Sequence, residues 1–453
     1  MLGKNIGRMR DYAVKNLASF GLSPLRNILS PALFREAQPR PPRSSTVLIP
    51  EVVFWLMGTV ALTEQAMAGA ITAFWSHCRS DLPYLSAEPI TEEAFCIARK
   101  KLKLRFFRTI YRRVVQRYEQ TYPDRYRWKG FRLLGIDGMK LSLPPSAALR
   151  KVFPPAANHL GSAKKPQALL VGLVGLWDGL CRDFKLVSSK LSEQRCARKL
   201  LRRLAPNDLL LCDKNFADYH TLAAVLRQGG DYLFHLPDNR FHKLPRLSPR
   251  SGCREEWYVT LRLPIPLRQK HPELPTEFTA RVIRYQRKGF RPSHLITSLL
   301  DVTLYPYVDL VTLYHERWRH ETLHREWKYT LSLSNLRSQS PPGIGKEIYV
   351  QLTINNALRW MMAEAVGPRS RPVDIQFLET KRLVYAYLPA MASAPTLSLP
   401  FLYQQLLKEI SQKKICVRPG RSYPRKYDGV PRYKGNGKYI QPAKMTHIYD
   451  ETG

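Results

Sequence analysis

Acidic residues are scarce in this 453-residue chain: 36 Asp and Glu stand against 72 Lys and Arg, a formal net charge of +36. Such an excess draws in polyanions and releases their condensed counterions, which points to nucleic acid ahead of an anionic membrane or a merely cationic surface. Cysteine is sparse too. The seven present (Cys78, Cys96, Cys181, Cys196, Cys212, Cys253 and Cys416) are odd in number and never form a C-x-x-C pair, which excludes a disulfide scaffold and a structural zinc site and fits a reducing compartment. Long apolar runs are missing as well. Val52 to Thr63, the longest uncharged stretch near the N-terminus, is stopped by Glu64 and Gln65, well short of the roughly 20 residues that span a bilayer. The opening MLGKNIGRMR has charge but no apolar core behind it, so neither membrane nor export is expected and the chain is placed in the cytoplasm.

Enough apolar surface remains to fold the chain. Hydrophobic residues make up 44% and aromatics 11%, which offsets ordering entropy, and the length accommodates two to four domains at roughly 100–200 residues each. The Pro-rich 36–46, EAQPRPPRSST, separates an N-terminal segment (1–46) from a helical region (47–125). Within that region Thr91 caps a helix that begins with Glu92 and Glu93, and whose body, AFCIARKKLKLRFFRTIYRRVVQRY, interleaves apolar and basic residues. This pattern fits a DNA-recognition domain and equally a solvated charged face.

From Phe131 the period becomes that of strands: RLLGID, MKLSL, ALLVGLVGLWD and RDFKLVSS form a meander. Ser192 caps the helical EQRCARKLLRRL, which leads to the apolar strand DLLLCD, and a strand–helix–strand crossover of this length implies parallel pairing. A helix over 218–228 and short strands across 231–300 follow, then helical runs at 308–330 and 343–366 and a basic, Tyr- and Gly-rich tail from 413. The outcome is an α/β fold with its core in 126–230 and 301–370, a β-rich insertion at 231–300 and a basic C-terminal region at 371–453.

Two aspartates sit at expected strand ends. Asp137, in LLGIDGMKLSL, also reads as a hairpin turn through Asp-Gly, as Asp178 does in LWDG. Asp213, in LLLCDKNF, also reads as a helix cap, although Asp218 lies nearer the next helix start. The segment YHERWRHETLHREWK decides between these readings. At about 100° per residue, Arg317, Glu321 and Lys328 fall about −60°, −20° and −40° from Tyr314 on a helical wheel, so a carboxylate lies between cations and a phenol on one stripe. That suits a metal beside a phosphate backbone; a surface helix with pairs such as Glu321–Arg325 is the plainer account.

Tyr314, Arg317, Glu321 and Lys328 reproduce the Y-x2-R-x3-E-x6-K signature of the insertion-sequence-four family of DDE transposases, which the chain resembles over about residues 50–365. IDGMKLSLP resembles the family's first-aspartate strand, and LLLCDKNFADYHTL its second-aspartate element, with Lys214 and Asn215 replacing Arg and Gly. The resemblance implies a ribonuclease-H-like core preceded by a helical N-terminal domain, in a bacterial, nucleoid-associated enzyme. Asp137, Asp213 and Glu321 would be catalytic and would hold two Mg2+ ions about 3.5–4 Å apart, with Mn2+ able to substitute. Tyr314, Arg317, Lys328 and secondarily Trp318 would contact DNA, both the terminal inverted repeats and the target, and a homodimer would bridge the two ends. Trp318 reads more simply as packed under its helix. A rival pattern, H-E-x-x-H at His320–His324, belongs to zinc metalloproteases; it lacks a legible third ligand and lies among cations that oppose zinc. A catalytically silent DNA-binding derivative is the remaining alternative.

Overall fold

A computed structural model describes residues 48, 50–63, 66–72, 90–155, 157–158, 161–162, 165–245, 248–249, 255–286, 292–368, 370–393 and 396–416. The boundary expected at 36–46 and nearly all of the basic tail lie outside them. The chain divides into Met1–Lys414 and Ile415–Gly453, and only Ile415 and Cys416 of the second unit are described.

One large mixed sheet organises the first unit. Its main strands are β1 (Phe131–Ser142), β2 (Gln167–Gly175), β3 (Cys181–Ser188), β4 (Asp208–Cys212), β5 (Asp231–Leu236), β6 (Glu256–Arg262), β7 (Glu277–Tyr285) and β8 (Ser293–Thr297). They lie in the order β3-β2-β1-β4-β5-β8-β7-β6, with the two-residue segments Arg127–Trp128 on β1 and Ser248–Pro249 on β6. The first three strands are antiparallel, β4 and β5 run parallel to β1, and β8, β7 and β6 extend the sheet antiparallel beyond β5. Thus 231–300 is β-rich but contributes β5 to the parallel part of the same sheet.

Strand periodicity feeds two cores. On β1, Leu133, Met139 and Leu141 face one cluster, while Leu134 and Ile136 face the other. The first cluster is covered by α1 (Pro50–Leu62), α3 (Leu104–Thr121), α8 (Pro341–Val366), α9 (Phe377–Ser393) and α10 (Leu399–Gln412). The second is covered by α4 (Glu193–Leu200) and α5 (Tyr219–Arg227). The result is three layers, helices on both faces of a sheet. Among the described residues no helix is long and apolar enough to cross a membrane.

Local signals place several of these elements. Thr91 accepts from the Ala94 amide at 3.1 Å, Ser192 from Arg195 at 3.3 Å and Asp218 from Thr221 at 3.0 Å, so the three expected N-caps form. Asp178 is a turn residue, as expected, accepting from the Leu180 amide at 3.0 Å and from Arg182 at 2.7 Å.

Two local expectations fail. The helix expected to run on from Thr91 breaks: α2 (Glu92–Lys101) ends at Leu102, whose backbone is extended (φ −70°, ψ 133°) and whose side chain is buried in the core, before α3 restarts. The strand break at Asp137-Gly138 is also absent. β1 runs through both residues because β2 pairs with it from Leu134↔Gly175 to Ser142↔Gln167, and that ladder overrides the turn preference of Asp-Gly.

Candidate active site

Sheet register brings the two aspartates together. β1 and β4 pair in parallel with Gly135 opposite Leu211, so Asp137 and Asp213, each two residues farther on, leave adjacent strands at the same level. Residues two apart share a face, and neighbouring strands are about 4.8 Å apart, so both carboxylates rise from the β1–β4 junction on the side of Leu133 and Leu211. Asp137 Oδ1 accepts from the Gly138 amide at 2.8 Å. Asp213 caps a 3-10 turn, Lys214–Phe216, accepting from the Asn215 amide at 2.9 Å. Asn215 keeps a negative φ, so the turn forms without the family's glycine. Burial raises the Asp213 pKa, with the charge of Asp137 acting the same way against the Asn215 hydrogen bond.

The segment bearing the four-residue signature crosses this face as a helix of changing pitch. It runs as α6 (Tyr307–Tyr314), a 3-10 turn (His315–Trp318), α7 (Arg319–Arg325) and a π turn (Glu326–Thr330). The single straight stripe expected from a uniform helix is therefore distorted, because a 3-10 residue turns about 120° and a π residue less than the usual 100°. Two glycines let the segment lie close. A Cβ on Gly135 would stand 2.8 Å from His320 Cδ2, and one on Gly172 would stand 3.0 Å from the Trp327 ring. Trp327 is fully buried and donates to Asn355 Oδ1 of α8 at 3.1 Å, while Glu326 pairs with the buried Arg359 of the same helix.

The signature residues divide their positions. Tyr314 is 6% exposed and its hydroxyl donates to the Cys212 carbonyl at 3.5 Å, which ties α6 to the end of β4 beside Asp213; burial raises its pKa. In this position its hydroxyl braces the strand end beside Asp213. Arg317 is the hub. Burial opposes its charge, but Tyr314, Glu321, Asp213 and Asp137 together outweigh that and raise its pKa. Glu321 sits at the rim, its side chain 43% exposed, 3.6 Å from Arg317 Nη2. Lys328 is half-buried with its ammonium 5.5 Å from the Tyr329 ring. Trp318 is 47% exposed, with the Arg317 guanidinium 5.3 Å from its ring, rather than packed beneath the helix.

Three further side chains enter the site. Glu193, first residue of α4, arrives from the opposite face of β1: a Cβ on Gly138 would fall 2.3 Å from its Oε1, a buried oxygen without a hydrogen-bond partner. Burial, then the charges of Asp137 and Asp213, push its pKa from 4.5 to about 7. His320 and His324 stand over Asp137, ring centroids 4.4 Å apart, with His324 Nδ1 4.0 Å from Asp137 Oδ2. Burial lowers His320 to about 4 and His324 to about 3, the second also through His320. Both rings are uncharged at neutral pH.

The family model described as Transposase DDE domain matches residues 136–356, a span holding Asp137, Asp213 and Glu321. The transposase InsG for insertion sequence element IS4 of Escherichia coli (strain K12) is 26% identical over 340 residues, 74% of this chain and 76% of the relative. The chain carries a transposase DDE domain. A solved piggyBac transposase synaptic complex with hairpin DNA aligns over 90% of this chain and 87% of that one, at 11% identity and a TM-score of 0.44.

Enzymes of this family cleave and join DNA with divalent metal ions, and the donors of this chain fit that use. Asp137 and Asp213 offer hard oxygens side by side, and the crowding that raises Asp213 and Glu193 is relieved by a cation. The sequence pointed to Asp137, Asp213 and Glu321 but passed over Glu193. Its available signal was Ser192, which fixes Glu193 as the first residue of a crossover helix whose start faces Gly138, midway along β1.

Proposed function

We propose that this protein is a transposase that cuts and rejoins DNA at its element's ends with Asp137, Asp213 and Glu321 as the carboxylates that hold two Mg2+ ions. The observation that carries this reading is the β1–β4 register, Gly135 opposite Leu211, which aligns the two aspartates under the helix bearing Glu321. A ribonuclease-H-like core accounts for the strand order β3-β2-β1-β4-β5 with α4 and α5 as crossovers. When bound, such ions supply a water of lowered pKa and neutralise charge on the attacking and leaving oxygens.

The protein's own groups do the rest. Asp137, Asp213 and Glu321 would hold the ions through their carboxylate oxygens. The Arg317–Glu321 pair is partly exposed and so worth only about 0–1 kcal/mol, weak enough for a backbone phosphate to draw the guanidinium away. That exchange would leave the Glu321 carboxylate free to act as a ligand. Lys328 holds a second phosphate, and the open Trp318 ring stacks on an unpaired base. Tyr314 keeps the Asp213 strand end in place. The helical 47–125 region reads the terminal repeats, and a homodimer brings two ends together.

Cleavage of a labelled duplex carrying the element's terminal repeat, in Mg2+ or Mn2+, tests the assignment. Asp137→Ala, Asp213→Ala and Glu321→Ala should each lose cleavage at least a hundredfold while binding the duplex within a few-fold of wild type. Cleavage that survives either aspartate change overturns the assignment.

A further inference from the structure

Among the described residues, one group has the donors and spacing of a transition-metal site: Asp137, His320 and His324, whose ligand atoms all lie within 4.8 Å of one another. The two imidazoles are at i and i+4 of α7 and share a face of it. His320 is 1% exposed, and its ring nitrogens lie against the Gly135 and Gly172 backbone without a hydrogen bond of standard geometry. His324 Nε2 is likewise buried and without a partner. Unpaired buried nitrogens are costly, and a cation would satisfy them. Asp137 completes the set: its Oδ1 is taken by the Gly138 amide, while Oδ2 lies 4.0 Å from His324 Nδ1. Zinc–ligand bonds of about 2.0–2.1 Å need donors about 3.3–3.5 Å apart, so closure takes side-chain movements of roughly an ångström.

We propose that Asp137, His320 and His324 form a site for a borderline transition cation of the Zn2+ or Co2+ class, distinct in its donors from the all-oxygen site of the reaction. Imidazole nitrogen suits zinc and cobalt, whereas Mg2+ prefers oxygen. The positive field of Arg317 is offset by Glu321, which pairs with it at 3.6 Å. Because the site takes Asp137, filling it competes with the paired hard ions, and Zn2+ becomes an inhibitor of DNA cleavage. This last consequence rests on Asp137 being a catalytic ligand; the cation site itself does not.

The test is Co2+ titration of the metal-stripped, full-length protein by visible absorption. Wild type should show a one-to-one band that Zn2+ displaces. His324→Ala and Asp137→Asn should weaken Co2+ binding at least tenfold, while Asp213→Asn and Glu321→Gln keep the band; His324 is preferred to the fully buried His320, whose replacement endangers folding. No band in wild type, a band that persists in His324→Ala or Asp137→Asn, or one lost in Asp213→Asn and Glu321→Gln, overturns the site. In a second arm Zn2+ is added to Mg2+-supported cleavage, each protein compared with its own zinc-free rate, and His324→Ala should need at least ten times more Zn2+ for half inhibition. If the Co2+ pattern holds but Asp137→Asn still cleaves in Mg2+, the catalytic assignment fails and the cation site stands.

Discussion

Replacing Glu193 by Gln isolates the electrostatic strain of the metal-free site. The carboxyl of Glu193 titrates near 7 in the folded protein against an ordinary 4.5, first because it is buried and then because Asp137 and Asp213 are beside it. A folded pKa above the unfolded one means that the native state binds the proton more tightly. The resulting stability is fully present below about pH 4.5 and is lost as pH rises through about 7. That displacement is equivalent to about 3 kcal/mol at most, and screening at a half-buried group reduces it to about 1–2 kcal/mol. Glu193→Gln removes the ionisation while keeping the shape. In EDTA at pH 8 the variant should therefore melt about 1–2 °C above wild type, the scale expected for a chain of this size, and the two curves should converge by pH 4.5. Saturating Mg2+ should reverse the order, because the cation then favours the ionised carboxylate. Differential scanning calorimetry across pH 4.5–8, with and without metal, measures all three. A variant less stable than wild type in EDTA by the same amount at every pH would refute the reasoning, since it would mean that neutral contacts, and not charge crowding, hold Glu193 in place.

Other perturbations test the scaffold. Gly135→Ala drives a methyl to 2.8 Å from His320 and 2.9 Å from Leu176, so urea denaturation should show a loss of about 1–3 kcal/mol. Tyr314→Phe deletes the hydroxyl that bonds the Cys212 carbonyl; it should cost about 1 kcal/mol and slow cleavage more than it weakens DNA binding, as compared by kinetics and gel shift. Asp178→Ala leaves the buried Arg182 with Glu119, at 3.1 Å, as its remaining ion-pair partner, and the same denaturation measurement should show a loss of about 3–5 kcal/mol, reduced in the Asp178→Ala/Arg182→Met double variant.

Much of the site was legible because its signals are local. A capping side chain, a strand end and a four-residue spacing are each written within a few positions, so Ser192, Asp213 and the Tyr314–Lys328 segment could be marked from the residues alone. The misreadings arise where a distant partner decides. Asp137-Gly138 has the chemistry of a turn, and only the ladder to 167–175 keeps it extended. A regular wheel puts Glu321 in line with Lys328, but the 3-10 and π turns, the latter anchored by Glu326 on Arg359 and Trp327 on Asn355, change the pitch on either side of it. The break between α2 and α3 follows burial of Leu102, which no cap or breaker in the sequence marks.

Register explains why the chemistry is assembled across both layers of helices. Along β1 the odd positions 135 and 137 face α7 and the even position 138 faces α4, so His320 and His324 reach Asp137 from one side while Glu193 approaches from the other. A slip of one residue between β1 and β4 would turn Asp137 toward the α4 layer and leave Asp213 without its neighbour. Two constraints oppose that slip. Leu133 and Leu134 are both fully committed to opposite cores, and β2 holds β1 over nine consecutive pairs, from Leu134↔Gly175 to Ser142↔Gln167. The apolar alternation of a sheet strand therefore does more than bury surface here: it fixes which face each acidic group serves, and the geometry of the carboxylates follows from the packing of leucines that never touch DNA or metal.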